Sequence, residues 1–377
     1  MITKLNISNF KLHKKTELDI KGLTILTGMN GMGKSTVIQS LILLRQSFLM
    51  NDLETGLNLK GDLCDAGISG ELACQSSDEH TLKIDLKFSN QNGLTYVFNY
   101  PGNIMDTLLP GVETNMTDKP LLSKYSLFNE NFQYLSAFRF GPQKSYNRDT
   151  SLVVSKKQIS KIMGQCEYAV HFLDQYKNMD IPIKELGLID KKDIIPDLRL
   201  SVQVERWLRM ISPNIKIIIE PSGEDFKLKY KFNREENTIT DEMTALNTGF
   251  GITYALPILI AILSAHKDSI ILIENPEAHI HPKGQAILMD LMAKAVANGI
   301  QIIIESHSDH IINGSLVGIN RNLITPDQLS IYYFNREEHQ HLAVSYPLEI
   351  SKNGHIKRPP KGFFDQIDID LKTLTGF

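Results

Sequence analysis

The stretch GMNGMGKST, residues 28–36, constrains this chain more than any other. It follows an apolar run at 23–26 that reads as a strand and precedes a helical run from 37 to about 49. Gly28, Gly33, Lys34 and Ser35 complete G-x-x-x-x-G-K-S, the phosphate-binding loop. Glycines let the backbone curl until its N–H groups point inward at phosphate oxygens, and the following helix adds its positive N-terminal end. Lys34 can then reach the β- and γ-phosphates, and the Ser35 hydroxyl can take a position on Mg²⁺. A ligand-free glycine turn before a helix is the bland alternative. The flanking strand and helix favour a nucleoside triphosphate site.

The 377 residues allow one large domain or two smaller ones. A hydrophobic share of 42% with 22% charged residues is that of a globular protein, and the longest apolar runs, such as 256–263, are too short to span a bilayer. Met1 runs directly into strand-like ITKLNI, so no secretory leader is expected. Cys64, Cys74 and Cys166 lack C-x-x-C spacing and cannot all pair, which suits a reducing cytoplasm. A net charge of −3 and a pI near 6.4 do not announce a nucleic-acid binder. Any such contact has to be local.

Residues 2–7 and 18–26 read as strands around NFKLHKK, whose Lys11, Lys14 and Lys15 form either a solvated turn or a phosphate or nucleic-acid contact. The helix after the loop is apolar almost all round and belongs in the centre of the domain. Gln46 near its end is either a γ-phosphate sensor or a capped or solvated glutamine. Short strands are expected between about 70 and 100, a loop over 101–120 with its three prolines, and another strand at 132–138. Arg139 at that strand's end either faces the nucleotide or makes a structural salt bridge. Residues 151–212 look mostly helical, and IKIIIE with FKLKYKF reads as a hairpin. No heptad pattern is sustained, which excludes a long coiled-coil arm.

Two later segments carry further chemistry. In SIILIENPEAHIHP, residues 270–273 form a buried parallel strand with Glu274 at its carboxyl end, where phosphate-loop folds place an acid that orders Mg²⁺. About thirty residues later QIIIESHSDH repeats the arrangement and brings Glu305, Ser306 and His307 to the same sheet edge. Between hairpin and acid lies LNTGFGITYALPIL, with Asn247, Gly249, Phe250 and Gly251 ahead of a helix that runs to about His266. Thr253 is a plausible cap, and Pro257 falls early enough to be tolerated. One chain needs one triphosphate cradle, so this second anion-binding end can serve a neighbouring molecule.

Together these motifs resemble an α/β P-loop NTPase of the ABC type, an ATPase head of the SMC/RecF/OLD branch. GMNGMGKST resembles Walker A with that branch's asparagine, Asn30; LNTGFG resembles the signature, IILIEN Walker B, PEAHIHP the D-loop, and SHS around His307 the switch histidine. NISNFKLHKK is similar to the branch's opening strand and turn. NTGFGITYALPIL, IENPEAHIHP, ESHSDHIIN and GFFDQIDIDL most resemble small stand-alone OLD-like AAA ATPases, a group that includes the ATPase partners of nucleases in anti-phage systems such as Septu.

The resemblance implies a homodimer that buries two ATP molecules with Mg²⁺. Gly28, Asn30, Gly31, Gly33, Lys34, Ser35 and Thr36 would cradle the nucleotide, Ser35 and Glu274 would order the metal, and His307 would sense the γ-phosphate. Asn247, Gly249 and Gly251 would come from the other chain. It further implies a β-rich N-terminal part with Walker A (1–150), a helical insertion (151–212) and a C-terminal part with the remaining motifs (213–377). The expected function is a slow ATPase that regulates a separate effector, a nuclease in phage defence. A RecF-like DNA-binding repair clamp and a nucleotide-locked scaffold stand as alternatives.

One departure bears on turnover. Asn275 occupies the position where the second Walker B acid usually polarises water, and an amide cannot take a proton there at neutral pH. Glu277 either substitutes for it or is a structural carboxylate bonded to backbone N–H groups. A rival reading makes His279, His281, His307 and His310, with Glu277 and Asp309, a transition-metal site. The last seventy or so residues show no second carboxylate cluster for a nuclease centre. Their basic loop, with Lys352, Lys357, Arg358 and Lys361, reads as solvated or as a DNA-backbone contact.

Overall fold

Apolar alternation in the first hundred residues and unbroken apolar runs later on dictate two kinds of sheet. A computed structural model describes residues 1–115, 118–190, 194–233, 238–336, 341–360, 362–364 and 366–375. The chain opens with β1 (Ile2–Phe10), β2 (His13–Asp19) and β3 (Leu23–Gly28), then α1 (Lys34–Met50). Strands β4 (Gly56–Asn58), β5 (Thr81–Phe88), β6 (Gly93–Asn99) and β7 (Leu108–Thr114) follow. Strands β2-β1-β5-β6-β7-β4 form an antiparallel sheet. Leu82, Ile84, Leu86 and Phe88 of β5 point into the core with exposed or half-buried residues between them, the signature of a sheet with one covered face. The prolines of 101–120 suggested a loop, yet β7 lies there. Its Pro110 sits opposite Gly56 of the three-residue β4, and its pairing with β6 shifts register, so the ladder accommodates a missing N–H.

Beyond one-turn α2 (Lys119–Leu122) come β8 (Phe132–Leu135), α3 (Ala169–Tyr176), α4 (Leu200–Ile211) and the hairpin β9 (Ile215–Ser222) with β10 (Asp225–Phe232). Then follow β11 (Met243–Thr244), α5 (Phe250–Leu263), β12 (Ile270–Glu274), α6 (Pro282–Ala297), β13 (Gln301–Glu305) and α7 (Asp309–Asn320). The chain finishes with β14 (Leu329–Arg336), β15 (Ala343–Pro347), the small pair β16 (Glu349–Ile350) and β17 (Ile356–Lys357), and α8 (Gln366–Thr375).

The central sheet runs β15-β14-β3-β13-β12-β8, parallel except for β15. Its two faces divide the core. Leu26, Ile270, Leu272, Ile303 and Phe334 pack with α1 and the antiparallel sheet. Ile25, Ile271, Ile273, Ile302 and Ile304 pack with the helices α3 to α7. Successive strand residues point to opposite faces, so an unbroken isoleucine run feeds both layers. Within 151–212, Val204, Trp207 and Leu208 of α4 share the cluster of Leu256 and Leu259 of α5. Helices α3 and α4 of this stretch thus contribute to the core. No helix among the described residues is long and apolar enough to cross a membrane.

Local expectations differ at two places. Helix α5 is capped by Gly249, while Thr253 is buried with its hydroxyl 3.4 Å from the Tyr230 hydroxyl, so Thr253 is no cap. The basic loop near 352 is a short hairpin in which Lys357 pairs with Glu349; Lys352, Lys357 and Arg358 are exposed, and Lys361 lies outside the described residues.

Candidate functional site

The loop between β3 and α1 is shaped by its surroundings. Gly28 takes φ 134° and passes so close to β14 that a Cβ would stand 2.2 Å from the Phe334 carbonyl oxygen. Gly33 caps α1 at φ 90°, and a Cβ there would meet His13 Nε2 at 2.8 Å. Only glycine fits either place. Helix α1 carries neither a side-chain cap nor an acid in its first turn, so its N-terminal N–H groups face a cavity of about 330 Å³. Asn30, Gly31, Gly33, Lys34, Ser35 and Thr36 line it, joined by Lys11, Gln39 and Glu305. Lys34 Nζ donates to the carbonyls of Gly28 (3.0 Å) and Met29 (2.6 Å), a folded-back pose that keeps the ammonium beside the cavity. Burial lowers its pKa, and Glu305 opposes that. Of the three lysines around NFKLHKK, only Lys11 lines the cavity, hydrogen-bonded to Gln39 at 2.8 Å; Lys14 and Lys15 are exposed. A larger cavity of about 500 Å³ lies by the far end of α1, and none of the phosphate-loop residues line it.

At the edge of the sheet Glu274 and Glu305 lie side by side in register. Glu274 accepts from the Tyr134 hydroxyl (3.0 Å) and the Ala137 N–H (3.1 Å), and burial raises its pKa. Glu305 is only 7% exposed; burial raises its pKa, while a hydrogen bond from the Ser35 side chain pulls the other way. Its Oε2 has no hydrogen-bond partner. Arg139 does not line the cavity at the phosphate loop and forms no salt bridge among the described residues. Buried, it donates to the carbonyls of Ser136 (2.7 Å), Glu274 (2.5 Å) and Asn275 (2.8 Å). It therefore fixes the turn at Asn275, where φ is 45° and the amide Oδ1 is buried without a partner.

Glu277 accepts from the Ser306 hydroxyl (2.9 Å) and from the His307 N–H (2.7 Å). Both oxygens are thus committed to the segment that carries His307. The imidazole of His307 is held below its usual pKa, first by burial and then by Lys34, and it hydrogen-bonds the Gly28 backbone. Gln46 is a brace, not a sensor. Its Oε1 accepts from the N–H groups of Leu63 (3.1 Å) and Cys64 (2.8 Å), and Nε2 donates to the Asn58 carbonyl.

The remaining residues sit elsewhere. Asn247 and Gly249 are exposed, and nothing lies within 4 Å of a Cβ built on Gly249. A Cβ on Gly251 would stand 2.4 Å from the His279 carbonyl oxygen, so this glycine serves close packing inside the chain. The transition-metal reading fails on geometry. The His279 ring packs on Tyr254, His281 Nδ1 accepts from the Lys283 N–H to cap α6, and His310 neighbours Asp309 at 3.7 Å. Among the described residues no three His, Cys, Asp or Glu side chains are arranged to hold a metal.

His13 escaped sequence reasoning, since one histidine in a basic turn carries no signal of its own. It is fully buried, with Nε2 2.9 Å from the Gly33 carbonyl and Nδ1 2.7 Å from the Thr16 hydroxyl. A carbonyl only accepts, so Nε2 carries the proton and Nδ1 accepts from threonine. Burial pushes the His13 pKa down to about 4. The unfolded chain takes up that proton first, so stability present above about pH 6.5 is lost as pH falls through about 4. The loss should reach about 3 kcal/mol at most. Urea unfolding at stepped pH should show it, with a flatter profile for His13→Gln; equal slopes in both chains would reject a neutral His13.

Residues 23–313, well over half of the chain, match the family described as "AAA domain, putative AbiEii toxin, Type IV TA system". Residues 324–374 match a protein of unknown function (DUF3696). No curated protein matches the chain. Among solved structures it is similar to an SMC head bound to the C-winged helix domain of ScpA, with 14% identity and a TM-score of 0.58 over 93% of this chain and 98% of that one. An SMC head domain from Thermotoga maritima has 9% identity and a TM-score of 0.47 over 93% and 99% of the two chains. The Smc head with an extended coiled coil, bound to the C-terminal domain of ScpA derived from Pyrococcus furiosus, has 14% identity and a TM-score of 0.45 over 100% and 99%. The first likeness shows a shared fold over most of both chains. The chain belongs to the family described as AAA domain, putative AbiEii toxin, and shares the fold of an SMC head.

Proposed function

We propose that this protein binds ATP with Mg²⁺, closes as a homodimer around two nucleotides, hydrolyses them slowly, and passes that state to a separate effector. The observation that carries the dimer is the contrast between two glycines of one motif. Gly251 is filled by its own chain, whereas Gly249, at the N-terminus of α5, faces open space. The cavity at the phosphate loop takes none of its lining from residues 247–251. A helix N-terminus with free N–H groups and no Cβ in the way suits a phosphate from a second copy. A γ-phosphate gripped from both sides then favours the closed state.

The residues present fit the nucleotide and its ion. Lys34, Lys11 and the α1 N-terminus supply positive charge, and the Ser35 hydroxyl with a buried carboxylate supplies hard oxygen donors. Mg²⁺ held there would neutralise charge on the β- and γ-phosphates. His307 reaches a γ-phosphate by turning its ring N–H away from the Gly28 backbone, and Glu277 holds the His307 backbone in place. Asn275 can orient a water but cannot accept its proton, and both Glu277 oxygens are engaged, so turnover is slow. The effector, a nuclease in anti-phage defence, rests on the resemblance to small OLD-like ATPases. It agrees with the lack of any metal-holding carboxylate cluster among the described residues. The SMC head solved with a ScpA domain is a precedent, by fold alone, for a protein docking on such a head.

Light scattering with and without Mg-ATP tests the dimer. Wild type should double in mass on adding ATP. Gly249→Asp, whose new side chain meets nothing within the chain, should melt like wild type. It should nevertheless lose ATP-driven pairing by on the order of a hundredfold, because a carboxylate then faces phosphate. Unchanged pairing of Gly249→Asp would sink the shared site.

A further inference from the structure

We propose that the cavity of about 500 Å³ at the far end of α1 is a second ligand site. It is built for a small organic anion, an apolar body carrying a carboxylate or a phosphate, whose charge Arg45 takes. This site is separate from the nucleotide cavity, since no phosphate-loop residue lines it.

Charge makes the first argument. Arg45 stands among the buried residues of α1 and is only 4% exposed. Its Nη1 donates to the carbonyls of Leu127 (2.7 Å) and Asn129 (2.9 Å), and its guanidinium lies over the Phe132 ring at 4.3 Å. Carbonyls and a ring face carry no full negative charge, so the cation is not balanced by them. Among the described residues no carboxylate pairs with it, and burial pushes its pKa down to about 9. The buried Arg139 differs, since Glu277 and Glu274 support its charge and both its Nη groups are engaged. The described hydrogen bonds of Arg45 use Nη1 alone, which leaves Nη2 and Nε for the cavity it lines. A buried cation without a counter-charge is costly, and a carboxylate or phosphate is the partner that suits a guanidinium.

The walls supply the rest. Leu49 follows Arg45 by four residues, so the helix turns the cation and this leucine to one face. Leu49 and Met50 are exposed apolar side chains at the end of a helix that is otherwise buried along most of its length, and both line the cavity. Leu63, Phe128 and Leu152 extend the apolar wall. Gln46 holds part of it in place by accepting from the N–H groups of Leu63 and Cys64. The two carboxylates at the rim, Asp62 and Glu130, are exposed, and Glu130 pairs with Lys157 at 3.2 Å. Lys156 and Lys161 add positive charge there. Small-molecule sites are cavities of about 300–1,000 Å³ with mostly apolar walls and a few placed polar groups, and this cavity has that make-up. An inorganic ion would leave the apolar wall unused, and a neutral hydrocarbon would leave Arg45 without its counter-charge. An amphipathic anion satisfies both.

Calorimetric titration of the full chain with naphthoate, naphthyl phosphate and the neutral naphthamide tests the site. At least one of the two anions should bind, and naphthamide should bind on the order of tenfold more weakly or worse. Which anion binds more tightly tells a carboxylate ligand from a phosphate one. Arg45→Met should weaken the preferred anion on the order of tenfold and leave naphthamide unchanged. Leu49→Trp, which fills the cavity from an exposed position, should abolish binding of all three. Lys34→Ala should bind the preferred anion as wild type does, because the phosphate loop lies elsewhere. Thermal melting of each variant reports folding. Should Arg45→Met melt too low to titrate, Leu49→Trp and the comparison of anion with amide decide. The site is overturned if wild type binds neither anion, or binds naphthamide as tightly as both. Full anion affinity in Leu49→Trp or in folded Arg45→Met, or its loss in Lys34→Ala, overturns it equally.

Discussion

Lys34→Ala should bind ATP on the order of 10- to 100-fold more weakly than wild type, and added ATP should leave its mass unchanged. The size follows from charge-assisted hydrogen bonds to phosphate, about 1.5–3 kcal/mol in total, which alanine cannot make. The same change should cost the empty protein little. In the folded-back pose the ammonium is partly desolvated and satisfied only by two carbonyls of its own loop, a pose it must leave to meet a phosphate. A fluorescent-nucleotide titration beside a urea melt separates the two effects. Equal ATP affinity in wild type and Lys34→Ala would place the nucleotide elsewhere.

The largest loss of stability should come from Arg139→Met. This side chain lies between β8 and the turn after β12 and donates to the carbonyls of Ser136, Glu274 and Asn275. Methionine replaces much of the packing but none of the donors, leaving the carbonyls of Ser136 and Glu274 short of partners, while that of Asn275 keeps the Ala278 N–H. Each of these two groups costs about 1–3 kcal/mol, so a total of about 2–5 kcal/mol is expected. The urea midpoint should fall accordingly. Because the turn at Asn275 would loosen, ATP turnover should fall further in whatever fraction stays folded. A midpoint within 1 kcal/mol or so of wild type would show that water replaces the guanidinium there.

Continuous segments were legible in the sequence, and juxtapositions were not. The phosphate loop could be read because its glycines, lysine and serine act within nine consecutive residues. Helix α1 and strands β12 and β13 were equally plain, since an apolar run that ends in an acid at a sheet edge needs no partner to be recognised. Strand β7 was missed because proline speaks against a ladder, and only a short partner and a register shift make room for it. Arg139 and Gln46 each allowed a functional and a structural reading, and a single residue name cannot decide between them. Their partners, the carbonyls of Glu274 and Asn275 and the N–H groups of Leu63 and Cys64, come from other parts of the chain. The same holds for Glu305. Its chemistry was visible, but its position next to β3 follows from strand order, which no local pattern encodes.

Strand β3 lies between β13 and β14, which are encoded some three hundred residues later. On the ribosome, the loop that grips phosphate therefore waits without its two neighbouring strands until some three hundred further residues have been made. A nascent chain of this kind cannot use nucleotide to steady its first half, and contacts so distant in sequence close slowly. Competence to bind thus waits on β13 and β14 and arrives as those two strands slot in beside β3.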